Sequence, residues 1–194
     1  MAKIRAFVAI ELTPEMQRAL GEVQARVKAA IDAPVRWVAP ESTHLTLKFL
    51  GDIDHDQVEP IASAMAQAAS DAQPFTLGLA DVGGFPSLAR PRVLWVGLRG
   101  DPPDTSGSGL VRLQSDLERR LEPLGFARER RPFTPHLTLG RVRSPGRLQW
   151  SQDPGGLGSP GAAHRVESVS LMQSILRPQG AAYHRLSSAR LGRG

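Results

Sequence analysis

The chain has 194 residues, 41% hydrophobic and 22% charged, a balance that excludes a disordered chain and suffices for one good core or two small lobes sharing an interface. It contains no cysteine, which excludes disulfides, thiolate metal sites and a cysteine nucleophile. The formal net charge of +5 is unevenly spread: residues 1–97 hold nine Lys/Arg against eleven Asp/Glu, and residues 98–194 hold fifteen Arg against eight Asp/Glu. Arginine stays charged and grips phosphate with two parallel donors, so a polyanionic ligand on the C-terminal side is one reading of this excess. A bias toward arginine codons is the other. The start, Met1 to Ile10, has neither an apolar run nor a cleavage site, and no stretch approaches membrane-spanning length. The expectation is a cytoplasmic protein with no membrane partner.

Residues 3–12 read as a strand, with Ile4, Ala6, Val8 and Ile10 alternating against Arg5, Phe7 and Glu11. Thr13-Pro14 supplies an N-cap and a proline at the first helical position. Met16, Leu20, Val23, Val27 and Ile31 follow at helical spacing, up to Pro34. Val35 to Val38 is a short strand, and Thr43 to Gly51 a longer one. Residues 54–71 carry a helical stripe through Val58, Ile61, Met65 and Ala68. Phe75–Val82 and Arg92–Leu98 are strands joined by the turn-rich Gly83-Gly84-Phe85-Pro86. Gly100 to Gly109 reads as a linker. Leu110, Leu113, Leu117, Leu121 and Leu124 mark a third helix, and Pro135–Val142 a strand. Residues 144–161, rich in Gly, Pro and Ser, read as a mobile loop. Val166–Leu176 and Ala182–Leu191 close the chain as a strand pair. The order predicts an α+β fold of two related lobes with a cleft between them.

One tetrapeptide occurs twice: His44-Leu45-Thr46-Leu47 returns as His136-Leu137-Thr138-Leu139, ninety-two positions later. On a strand, successive side chains alternate between faces, so each copy presents an imidazole and a hydroxyl to one side and two leucines to the other. Two such strands facing each other gather two histidines and two threonines. With an unperturbed pKa of about 6.5, one imidazole can be neutral and the other protonated near neutral pH. A neutral histidine can take a proton from water, a cationic one can give a proton to a leaving oxygen, and the hydroxyls can donate to charge building at phosphorus. Arg141, five positions past His136, lies on the opposite face of a regular strand and reaches this site only if the strand bulges near Gly140.

Zinc is disfavoured, since no His-Glu-x-x-His or His-x-His pattern is present and threonine is a poor ligand. No Gly-x-Ser-x-Gly elbow or phosphate-binding glycine loop occurs, so neither a serine triad nor an ATP site is indicated. His55, His164 and His184 are weaker candidates. Trp37 and Trp95 fall in strand patterns and are expected in the core. Phe7 points away from the apolar set of its strand, where it could stack on a base or pack under a helix.

With both motifs in view, the chain resembles the 2H phosphoesterase superfamily, and within it the RNA 2′,3′-cyclic phosphodiesterases, also called 2′-5′ RNA ligases. The resemblance rests on Arg5 to Ile10, on Trp37 with Thr43 to Gly51, on Gly84-Phe85-Pro86 with Arg92 to Gly97, on Phe133 to Arg141, and on Ser168 to Ser174 with Gly180 to Tyr183. Ala181 departs from it, standing where the family usually has proline. The resemblance implies one domain over residues 1–194, made of two intertwined, pseudo-symmetric lobes of antiparallel sheet and helices around a central cleft, each lobe giving one His-x-Thr strand. It implies hydrolysis of a terminal RNA 2′,3′-cyclic phosphate to a 2′-phosphate without metal or cofactor. His44 would be the proton donor and His136 the acceptor. Thr46, Thr138 and Arg141 would hold phosphate, and Phe7 and Tyr183 are the candidates for base stacking. RNA ends, tRNA fragments among them, would be the partners of a monomer, with reversible 2′-5′ ligation as a side activity. A non-catalytic RNA-end binding module and a phosphodiesterase for a small cyclic-phosphate metabolite are the alternatives.

Overall fold

The computed structural model describes residues 3–101, 109–144, 146–158, 161–177 and 180–192. In chain order its elements are β1 (Ile4–Glu11), α1 (Pro14–Ala30), β2 (Val35–Trp37), β3 (His44–Ile53), α2 (Val58–Asp71), β4 (Phe75–Phe85), β5 (Val93–Asp101), α3 (Gly109–Leu121), β6 (His136–Val142), β7 (Ala163–Val166), β8 (Ser168–Arg177) and β9 (Gly180–Arg190). They form two antiparallel sheets, β3-β1-β8-β9 and β2-β6-β5-β4-β7. The chain crosses between the sheets repeatedly, so each is assembled from segments of both halves. The two HLTL strands fall in different sheets.

The helices form where apolar spacing predicts. In α1, Thr13 caps the first turn by accepting from the Met16 amide at 3.4 Å, Pro14 opens the helix, and Met16, Leu20, Val23 and Val27 are buried. The expected helix over 54–71 is shorter. Asp54 and Gln57 form a reciprocal capping box around a 3-10 turn at His55–Gln57, and α2 starts at Val58. In α3 the leucines at 110, 113, 117 and 121 are all buried. Leu45, Leu47, Leu137 and Leu139 join one contiguous apolar core with residues of both sheets and all three helices.

Three regions differ from the sequence reading. Residues 83–85 continue β4 instead of turning, because Gly83 lies under the Trp95 ring, where any Cβ would collide with it. The stretch 144–161, expected as a loose loop, is anchored among its described residues: Leu148 and Leu157 are buried, and Trp150 bridges to Ile31. The Ser151 amide donates to the Ala30 carbonyl at 2.9 Å. The four-residue β7 was not expected; it pairs with β4 at the sheet edge and is too short to show a period. Most of the expected linker, residues 102–108, lies outside the described residues.

Candidate active site

The same irregularity shapes both motif strands. Along β3, Ala9 faces Thr46 while Val8 faces Lys48, leaving Leu47 as an extra residue in the ladder. Along β6, Trp95 faces Thr138 while Leu94 faces Gly140, leaving Leu139 extra. A bulge at the second leucine of each motif therefore shifts the alternation by one residue. Lys48 is carried to the core side, where its Nζ lies 2.6 Å from the Glu118 carboxylate and also donates to the Ala127 carbonyl at 2.6 Å. Phe49 is carried to the face of His44 and Thr46. Arg141 is likewise carried to the face of His136 and Thr138, opposite Val93. The bulge that Arg141 requires is present.

On the first sheet, His44 stands directly across from Glu11. Its ring stacks on Phe7 with centroids 4.5 Å apart and meets the edge of Tyr183 at 4.7 Å. Phe7, Ala9 and Met172 are buried beneath it, with Tyr183 packed against them. Burial among these rings pushes the His44 imidazole down to about 4, against the opposing pull of the Ser42 backbone and the Glu11 carboxylate. Arg185 grips Glu11 through two hydrogen bonds, of 2.8 and 2.7 Å, and Ser170 donates to it at 2.6 Å. The Arg185 guanidinium holds the Glu11 carboxyl below the usual carboxylate range.

On the second sheet, the His136 Nδ1 donates to the Thr134 carbonyl at 2.7 Å. That bond leaves Nε2 as the free ring nitrogen, an acceptor in the neutral tautomer. The ring meets Phe85 edge-on at 5.0 Å and Trp95 at 5.8 Å. Each motif histidine thus sits between two aromatic rings and is held by the backbone two residues before it.

Thr46 and Thr138 stand half-buried on the same faces as their histidines, and Arg141 is exposed. Phe7 is only 3% exposed, with one face against the His44 ring. It backs the histidine and has no face free for a base. Tyr183 meets His44 and Phe7 with its edge. Trp95, expected in the core, lies on the His136 face instead, as its alternation with buried Leu94 and Val96 implies. Phe85, Trp95, Glu11, Arg185 and Phe49 were not singled out as site residues. Only the phase of Trp95 against its neighbours pointed to one of them. His55 and His184 are exposed. Among the described residues, no group of three or more His, Cys, Asp or Glu side chains could hold a metal ion.

The LigT like Phosphoesterase family matches residues 10–95 and 101–183. The chain belongs to the LigT-like phosphoesterases. It is 34% identical over 191 residues to the RNA 2′,3′-cyclic phosphodiesterase of Methanothermobacter thermautotrophicus, covering 97% of this chain and 100% of that protein. Among solved structures, TT0787 of Thermus thermophilus superposes with a TM-score of 0.80 at 29% identity, covering 98% of this phosphoesterase and 99% of that chain. E. coli LigT in its apo form superposes with a TM-score of 0.74 at 27% identity, with 99% of each chain covered. No helix of the phosphoesterase among the described residues is long and apolar enough to cross a membrane.

Proposed function

We propose that this phosphoesterase opens the 2′,3′-cyclic phosphate at the end of an RNA strand, leaving a 2′-phosphate and a free 3′-hydroxyl. The observation that carries the reading is the matched pair of motif strands, each giving one oriented imidazole and one hydroxyl on a shared face. The name carried by the M. thermautotrophicus relative supports the substrate.

In the proposed step a water attacks phosphorus and the bond from phosphorus to O3′ breaks. His136 takes the water's proton at Nε2, the nitrogen left free by the Nδ1 bond to Thr134. His44 gives a proton to O3′; burial holds the free imidazole at about 4, and the Glu11 carboxylate across from it, joined by the negative charge of the bound phosphate, pulls back toward the imidazolium this step needs. Thr46, Thr138 and Arg141 meet the non-bridging oxygens as charge builds there. With a 5′-hydroxyl attacking in place of water, the same groups join two ends through a 2′-5′ linkage without ATP, and attack of O3′ on that linkage reverses the step. The reading includes a single two-lobed domain acting as a cytoplasmic monomer, with tRNA fragments among its RNA partners.

The test is incubation of EDTA-treated protein with an oligoribonucleotide ending in a 2′,3′-cyclic phosphate, followed by identification of the product end. A 2′-phosphate end is expected. A 3′-phosphate end, or RNA bound and unchanged, would contradict the reaction.

A further inference from the structure

Arg36 lies on β2, directly across from Arg141 on β6. Cross-strand partners share a face of the sheet. The face is set by their neighbours: a Cβ on Gly140 would press on Val35 and Trp37, and Lys28 of α1 lies over the Trp37 ring at 5.1 Å. Val35 and Trp37 therefore point to the helix side. Arg36, between them, points to the side of His136, Thr138 and Arg141.

Both arginines are exposed, and among the described residues neither side chain has an ion pair or a hydrogen bond. Several other arginines are matched to carboxylates, Arg120 with Asp71 and Asp116, Arg128 with Glu122, Arg185 with Glu11. Arg36 and Arg141 are set apart by standing directly opposite each other. Two like charges directly opposite in a sheet repel. Keeping such a pair without counter-charges, on the face of the reacting groups, favours an anionic ligand that brings its own.

The placement says which anion. With Leu139 bulged out, Thr138 and Arg141 are two regular strand steps apart, roughly 7 Å. Arg36 stands one strand further out, about 4.8 Å across the ladder. β2 is the edge of its sheet, so Arg36 sits where a bound strand would leave the site. Two planar forks side by side suit two successive phosphates of one strand, each fork offering parallel donors.

We infer that Arg36 makes a second phosphate site beside Arg141: Arg141 meets the reacting phosphate, and Arg36, one strand further out, holds the phosphodiester next to it. The inference rests on the RNA-end reading above. It assigns the protein a preference for a strand over a lone nucleotide, with Arg36 as the residue that sets it.

The experiment compares wild type and Arg36→Gln on two substrates: an oligoribonucleotide ending in a 2′,3′-cyclic phosphate, and a nucleoside 2′,3′-cyclic phosphate, which has no neighbouring diester. The ratio of kcat/KM, oligonucleotide over nucleoside, is expected to fall about tenfold in Arg36→Gln, the size of one charge-assisted contact. The fall should appear in KM. For an oligoribonucleotide ending in a 2′-phosphate, the slope of log affinity against log salt should shrink by about 0.7, one phosphate contact. Arg112→Gln, on α3, is the control for loss of charge alone and should leave the ratio in place. A ratio within twofold of wild type, with both substrates still consumed, would overturn the arginine pair alone. So would equal losses on both substrates, which would put Arg36 on the reacting phosphate. Wild type that consumes neither substrate would overturn the RNA-end reading and this inference with it.

Discussion

Phe49 and Arg141 hold equivalent positions in two copies of one strand. Each lies five residues past its motif histidine, and each is brought to the histidine's face by a bulge at the second leucine. The two positions carry opposite chemistry: Phe49 is an aromatic ring 73% exposed, and Arg141 is an exposed cation. The near-symmetric pair of strands is thereby polarised, with positive charge on the His136 side. Arg141→Ala is expected to lower turnover of a cyclic phosphate end about a hundredfold or more. Arg141→Lys keeps the charge and loses the fork, and should recover only part of that loss. Steady-state rates of the two variants check both statements.

The two motif histidines differ in their surroundings, and nuclear magnetic resonance can read the His44 environment directly. In the free protein His44 should titrate near pH 4. Phe7→Ala admits water to the ring and should raise that value toward 6.5. Glu11→Gln removes the carboxylate that favours the charged form and should lower it further. Bound inorganic phosphate adds a negative charge and should raise it, so by linkage phosphate binds more tightly as the pH falls. A free-protein value near 6.5, unmoved by phosphate, would contradict the description of the His44 pocket.

His164 supplies a second pH-dependent contribution, away from the motif strands. It is 4% exposed, and neither ring nitrogen reaches a partner in hydrogen-bonding geometry. Burial lowers its pKa, and the nearby Glu11 backbone offsets part of that. His164 and His44 both have folded-state values below 6.5, so between those values and 6.5 the unfolded chain binds more protons than the folded one. Their contribution to stability is complete above about pH 6.5 and is lost on acidification. His164→Leu should flatten this loss, so that its stability relative to wild type improves from pH 8 to pH 5. Urea melts at the two pH values measure it.

The Lys48–Glu118 pair is a buried charge network created by the bulge in β3. Both side chains are under a tenth exposed, and Glu118 also accepts from Gln114 at 3.1 Å and from the Glu129 amide at 3.1 Å. Glu118→Gln leaves the lysine charge uncompensated and should cost about 3–5 kcal/mol. Removing both charges with Lys48→Met and Glu118→Leu should cost less than either single change, because no unpaired charge stays buried. Denaturant midpoints of the three variants decide this.

The shared face of each motif strand was readable in the sequence because one strand period fixes both what His44 and Thr46 present and what Leu45 and Leu47 bury. The need for a bulge before Arg141 could be stated from parity alone, but its presence depends on the register with β5, a tertiary property. Phe49 was hidden for the same reason, since straight alternation puts it with the leucines. Trp95 was misplaced because aromatic residues usually go inside, although its phase against Leu94 and Val96 argued otherwise. The anchoring of residues 144–161 had no local signal. It depends on Leu148, Trp150 and Leu157 meeting surfaces distant in the chain. Arg36 was legible as a charge and not as a partner of Arg141, because strand pairing over that separation leaves no local pattern.

The most direct test of the two-histidine account is single-turnover hydrolysis of an RNA 2′,3′-cyclic phosphate end by His44→Ala, His136→Ala and the double variant, with EDTA present. Each single variant should lose a hundredfold or more while still folding and binding RNA, and the double variant should be little worse than the singles, because the two groups act as one unit. Turnover at the wild-type rate in either single variant would contradict the mechanism.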